Sequence, residues 1–101
     1  MITSFDGTAA GKPRIPAAVH VDGTVRPQTV ERGVNEGYWE VIERFGQLTG
    51  EHALLNTSFN VKGEPMICHP REAIRAFYDT GLDYLVMGQH IVGKNRFPSA
   101  L

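Results

Sequence analysis

The apolar run Ala53-Leu54-Leu55 passes without a break into Asn56-Thr57-Ser58-Phe59-Asn60, and Gly63 and Pro65 then turn the chain. No other stretch restricts the fold as much. Open α/β sheets hold ligands at the carboxyl ends of their strands, so the run predicts a short strand followed by a polar loop facing a small ligand. Amides and hydroxyls both donate and accept hydrogen bonds, which suits a carbonyl, an amide or a phosphate ester. Lys62 stands close by in the sequence. The alternative is a cluster of caps and Asx turns that satisfies backbone donors at a strand end. Ser58 lacks the Gly-x-Ser-x-Gly elbow of an activated serine. Donation to a substrate oxygen suits it better than attack.

At 101 residues the chain is one domain at most, and a domain this small buries only about two-thirds of its unfolded surface. A net charge of −1 gives no support for the basic face that a nucleic-acid backbone requires, although one small nucleotide needs no such face. Cys68 is the sole cysteine, so no internal disulfide forms, which fits a reducing compartment. No apolar run approaches the ~18 residues of a membrane span, and residues 1–12 lack the apolar segment of a secretory signal. A cytoplasmic location follows as the expectation, with neither membrane nor nucleic acid as partner.

Residues 1–16, with Gly7, Gly11, Pro13 and Pro16, read as an irregular lead-in. Ala17–Val21 and Thr24–Val30 flank Asp22-Gly23, which predicts a hairpin with a type I′ turn, Val21 facing Thr24 and Val19 facing Arg26. Arg26 and Gln28 then share one face of the second strand, and Pro27 marks that strand as an edge. Helical spacing of Tyr38, Val41, Ile42, Phe45 and Leu48 predicts a helix over 38–48, with Asn35 as N-cap and Gly50 as stop. A brief strand at Met66–Cys68 precedes a second helix, opened by Pro70 and ended by Gly81, with Ala73, Ile74 and Phe77 inward. Leu82–Met87 reads as a strand, Gln89–Val92 as another or its extension, and residues 95–101 as a frayed tail. The alternation predicts an α/β fold: a twisted mixed sheet of five strands with two main helices. Two helices cover little more than one face of such a sheet, which points to a piece of something larger.

Arg26 stands among β-branched neighbours, and two readings fit it. It is an edge-strand charge that discourages aggregation, or a guanidinium that grips phosphate or carboxylate bidentately. His20, His52, His69 and His90 are scattered without ligand spacing, so no metal is expected on this chain. Cys68 reads as a small core residue, His69 as the N-cap region of the second helix, and Trp39, Phe45 and Phe77 as core. No paired carboxylate or catalytic residue is indicated.

These residues resemble the C-terminal region of the O-carbamoyltransferases of the nodulation and antibiotic-biosynthesis type. The resemblance is carried by His20-Val21-Asp22-Gly23-Thr24, Arg26, Gln28-Thr29-Val30, Thr49-Gly50, Leu54 to Asn60, Gly63-Glu64-Pro65 and Thr80-Gly81-Leu82-Asp83. It covers roughly residues 16–93, so that 17–94 form the expected domain.

The resemblance implies a two-domain enzyme. Its N-terminal domain is similar to the actin-like ATPase fold of tRNA threonylcarbamoylation and holds a metal-bound nucleotide. Its C-terminal domain is YrdC-like and converts carbamoyl phosphate and ATP, the co-substrate, into carbamoyl-adenylate, with release of phosphate and pyrophosphate. The carbamoyl group then passes to a hydroxyl of a sugar or antibiotic. By position, Arg26 and Asn56 bind carbamoyl-adenylate, and Ser58 and Asn60 shape the same pocket. The N-terminal domain and the first half of the YrdC-like domain are absent from this sequence. The chain is therefore expected to be the C-terminal part of a carbamoyltransferase, either a truncated reading frame or a piece of a split enzyme that works with an N-terminal partner chain. The rival is an inactive or regulatory binding module, homodimeric through the exposed sheet face.

Overall fold

The computed structural model describes residues 3–95, so the expected tail beyond Asn95 lies outside the described residues. The chain divides into two compact units, Met1–Asn56 and Thr57–Leu101. The α/β mix holds. In place of one twisted mixed sheet, however, the described residues form two separate two-stranded antiparallel sheets.

In the first unit, β1 (Phe5–Asp6) pairs antiparallel with β2 (Thr24–Val25), Phe5 opposite Val25 and Asp6 opposite Thr24. The lead-in thus contains a strand, and Ala17–Val21 is not the partner of Thr24–Val30. Pro16–Ala18 forms a 3-10 turn instead, because proline at its first position presets the helical φ. The loop before β2 also differs from the predicted type I′ turn. That turn needs positive φ at both central residues, and only glycines among the described residues adopt it, Gly23 at 83°. The chain reverses instead through His20–Thr24, with Gly23 N–H donating to His20 O at 2.9 Å and His20 N–H to Thr24 O at 2.8 Å.

α1 (Glu36–Thr49) starts where the Asn35 side chain accepts from Tyr38 N–H and stops at Gly50, left-handed at φ 81°. Both signals were legible. The apolar stripe is not a core, however: Val41 is 56% and Leu48 86% exposed, and Phe45 stands half open. Gly46 is the one buried residue of α1. Trp39 is half-buried and carries the Arg32 guanidinium 5.1 Å from its ring centroid. The described part of this unit contains too little sheet to cover a helix, so the stripe stays at the surface.

In the second unit, α2 (Pro70–Asp79) begins at its N-cap His69 with proline in its first turn, and the Glu72 carboxylate reaches back to accept from Cys68 N–H at 3.3 Å. Cys68 is exposed, not a core residue, since this return contact keeps its segment at the surface. The helix buries Ala73, Ala76 and Phe77, an i, i+3, i+4 stripe, while Ile74 stays 43% exposed. Gly81 does not adopt positive φ, so it is not a left-handed cap. Thr80 closes the end instead, its hydroxyl donating to Ala76 O at 2.6 Å, and the Lys94 ammonium donates to Thr80 O.

β3 (Tyr84–Met87) and β4 (His90–Gly93) pair antiparallel in a tight hairpin, Met87 opposite His90. Gly88 at φ 59° is the only left-handed residue of its turn, as a type II′ turn requires. Leu85 packs with Ala73 and Phe77, and Phe59, Ile67, Met87 and Val92 close around them. The opposite ribbon face leaves Tyr84, Val86 and Ile91 exposed.

Phe77 is fully buried, and removing such a ring leaves a cavity that costs about 3–5 kcal/mol. Phe77→Ala is therefore expected to unfold the second unit at far lower urea concentration, while Asn35→Ala, losing a cap of about 1 kcal/mol, reduces helicity in α1. Chemical denaturation followed by circular dichroism and by amide resonances of each unit checks both.

Candidate functional site

Within the first unit a cavity of about 1110 Å³ lies against α1, its wall including Tyr38, Ile42 and Phe45. Three residues of the stripe that spacing assigns to a core thus line a cavity, while Val41 and Leu48 stand outside it. Arg14, Arg26, Gln28, His52 and Asn56 contribute polar groups to the same cavity.

Arg26 sits just past β2 rather than within a strand. Two constraints aim it. On one side the Asp22 carboxylate accepts from Thr24 N–H at 3.0 Å and from the Thr24 hydroxyl at 2.7 Å, which holds the loop that leads into β2. On the other, Pro27 restricts the residue before it to extended backbone. The Thr24 hydroxyl, then its N–H, hold the Asp22 carboxyl below the ordinary carboxylate range, because both donate to the ionised form.

The cations of the cavity differ in their engagement. Arg14 donates to Gly50 O at 3.0 Å and meets the Glu51 carboxylate at 2.8 Å. His52 Nε2 lies 3.7 Å from Glu43 Oε2. Arg26 has no hydrogen bond or ion pair among the described residues. Of the two arginines that line the cavity it is the one without an internal partner, and a guanidinium's planar fork matches phosphate or carboxylate in general. The Asn56 side-chain amide, which carries both a donor and an acceptor, likewise has no partner among the described residues.

The stretch before Asn56 is not a strand: residues 51–59 carry no ladder, and Leu55 is 61% exposed. At its start the Thr49 hydroxyl takes the place of a ladder partner, accepting from Glu51 N–H at 3.2 Å and donating to Glu51 O at 3.4 Å. Ser58 and Asn60 belong to the other unit. There the Ser58 hydroxyl donates to Asn60 Oδ1 at 2.6 Å, and Asn60 Nδ2 donates to the carbonyls of Val61 and Glu64, both at 3.3 Å. These bonds brace the turn Val61–Glu64, closed by Glu64 N–H to Val61 O at 2.9 Å with Gly63 at φ 84°. The structure brings Arg26 and Asn56 to one cavity, and Ser58 and Asn60 to each other.

Sequence reasoning did not single out Arg14 and Glu51, because an ion pair 37 positions apart leaves no local period. Among the described residues no group of three or more His, Cys, Asp or Glu is gathered to hold a metal ion, and no helix is long and apolar enough to cross a membrane.

Comparison with known proteins adds a second line of observation. A family model described as the carbamoyltransferase C-terminus matches residues 1–94. The nodulation protein NolNO of Sinorhizobium fredii is 49% identical over 78 residues, covering 77% of this chain and 12% of that protein. NolO of Bradyrhizobium diazoefficiens is 49% identical over 78 residues, 77% of this chain and 14% of that protein. An uncharacterised Synechocystis protein is 41% identical over 87 residues, 86% of this chain and 14% of its own length. The chain therefore spans only about one seventh of these relatives.

Because the folded-state pKa of Asp22 is depressed, the contribution of its carboxylate to the loop is complete above the unfolded pKa and fades as pH falls through the folded one. A carbon-detected NMR titration is expected to place the Asp22 midpoint below that of an unstructured aspartate. Thr24→Val is expected to move it back upward, since the hydroxyl is its largest cause.

Proposed function

The chain belongs to the carbamoyltransferase C-terminus family, and on that premise we propose that it is the C-terminal component of a carbamoyltransferase with a carbamoyl-adenylate site. The component is YrdC-like and works in the cytoplasm beside an N-terminal partner chain. Carbamoyl phosphate and ATP supply the adenylate, and a hydroxyl receives the carbamoyl group. The observation that supports this reading is one: a guanidinium without an internal partner and an amide without one line the same cavity.

Carbamoyl-adenylate joins a neutral amide to a phosphate through a mixed anhydride. The phosphate suits the fork of Arg26, which adds two charge-assisted hydrogen bonds. The carbamoyl end offers N–H donors and a carbonyl acceptor, which Asn56 complements. The aromatic and aliphatic wall of α1 leaves room for the apolar faces of a nucleoside. No side chain in this arrangement serves as a nucleophile. The chain's share of the chemistry is to orient the anhydride and to stabilise charge on its phosphate.

Calorimetric titration with AMP, and with carbamoyl phosphate plus a non-hydrolysable ATP analogue, checks this reading for the chain alone. The same titration is repeated on a chimera in which residues 17–94 replace the matching segment of NolO. Saturable binding is expected in the chimera at least. Hydrogen bonds to a charged partner contribute about 1.5–3 kcal/mol, so Arg26→Ala is expected to weaken binding roughly tenfold to a hundredfold. Arg26→Lys recovers only part, since an ammonium lacks the fork. Asn56→Ala weakens binding by up to about tenfold. Silence of both proteins, or an Arg26→Ala chimera that binds normally, overturns the proposal.

A further inference from the structure

Asn56 ends a stretch that no β-ladder fixes, and the residues leading to it bury no apolar side chain. Something else must hold this backbone if its amide is to keep one place. Gly50 reverses the chain at the end of α1, its N–H donating to Gly46 O at 2.8 Å. Two residues later His52 returns onto the helix it has just left. Its ring packs against Gly46, and a methyl group at position 46 would come within 2.1–2.3 Å of the ring's Cδ2, Cγ and Nε2, far inside van der Waals contact. Its Nε2 faces the Glu43 carboxylate at 3.7 Å, one turn earlier on the same helix.

Glycine inside a helix is destabilising relative to alanine, so a buried glycine near the end of α1 asks for a reason. The His52 ring supplies it, since only a residue without Cβ leaves that seat open. We infer that Gly46 and His52 form a seat that fixes the 51–56 segment against α1, with His52 as a positioning residue for Asn56. The ring contact sets the height of the segment on the helix, and the Glu43 carboxylate sets its rotation. The Arg14 contacts to Gly50 and Glu51 pin the preceding residues, so the segment is held from both sides of its turn. The ligand contact of Asn56 rests on the proposed carbamoyl-adenylate reading; the seat itself does not.

The test compares Gly46→Ala, His52→Ala and the double variant of the chain. Gly46→Ala improves helix propensity while it evicts the ring, and His52→Ala removes the ring while it leaves the helix unchanged. Backbone ¹⁵N order parameters of Ala53–Asn56 are expected to fall from a rigid value near about 0.85 toward about 0.6 or lower in both single variants. Helicity and Tm in Gly46→Ala are expected to stay level or rise, which a merely structural role would not allow. In the chimera, affinity for AMP is expected to fall several-fold in each single variant. The double variant should lose no more than the worse single one, because both act through one contact. Unchanged order parameters in either variant, or losses that add, overturn the seat. If wild type binds no AMP, the ligand reading fails and the order parameters alone decide the seat.

Discussion

The Asp22 carboxylate accepts two hydrogen bonds from Thr24, and the placement of Arg26 depends on that pair. With the loop closed, Thr24 and Val25 can pair with Asp6 and Phe5, which gives the short sheet its only register. Arg26 follows immediately, and Pro27 denies it the helical region. A cation is thus delivered to the cavity wall by backbone geometry, without a buried side chain to hold it. Exposed polar bonds of this kind are individually weak. Their effect here comes from acting on consecutive residues, so that each limits the freedom left to the next.

Charge pairing then sorts the cations of the cavity. Arg14 meets the Glu51 carboxylate and the Gly50 carbonyl, so its positive charge is largely compensated. Arg26 meets no carboxylate among the described residues. The difference between two arginines on one wall is therefore chemical, although both have the same side chain. One fastens the chain to itself. The other makes no such contact among the described residues.

Helices were legible in the sequence because their signals are local. Asn35, Gly50 and Pro70 act within a turn of themselves, and the described helix limits follow them closely. The hairpin around Asp22-Gly23 was misread because an Asp-Gly pair supports more than one reversal, and the choice was made by a strand at Phe5–Asp6 in a segment without a pattern. The stripe on α1 was read as core because periodicity reports which side chains share a face, not what lies opposite. That Arg26 and Asn56 line one cavity is a proximity the sequence pattern does not carry. Thirty positions separate them in the chain, and no spacing rule joins them. Asn60, read as a pocket residue, has its amide engaged with the turn at Gly63, a commitment that depends on coordinates rather than composition.

The β3–β4 ribbon carries a consequence of its own. Its inner face is covered by Phe77 and its neighbours, whereas Val86 and Ile91 stand more than half exposed on the other face. Among the described residues no third strand joins this ribbon, and the N–H and C=O groups of an unpaired strand border can template another strand. Apolar surface beside an open border favours stacking of like upon like. When this chain is prepared by itself at high concentration, turbidity and loss to precipitation should begin from this ribbon, before any change at α1.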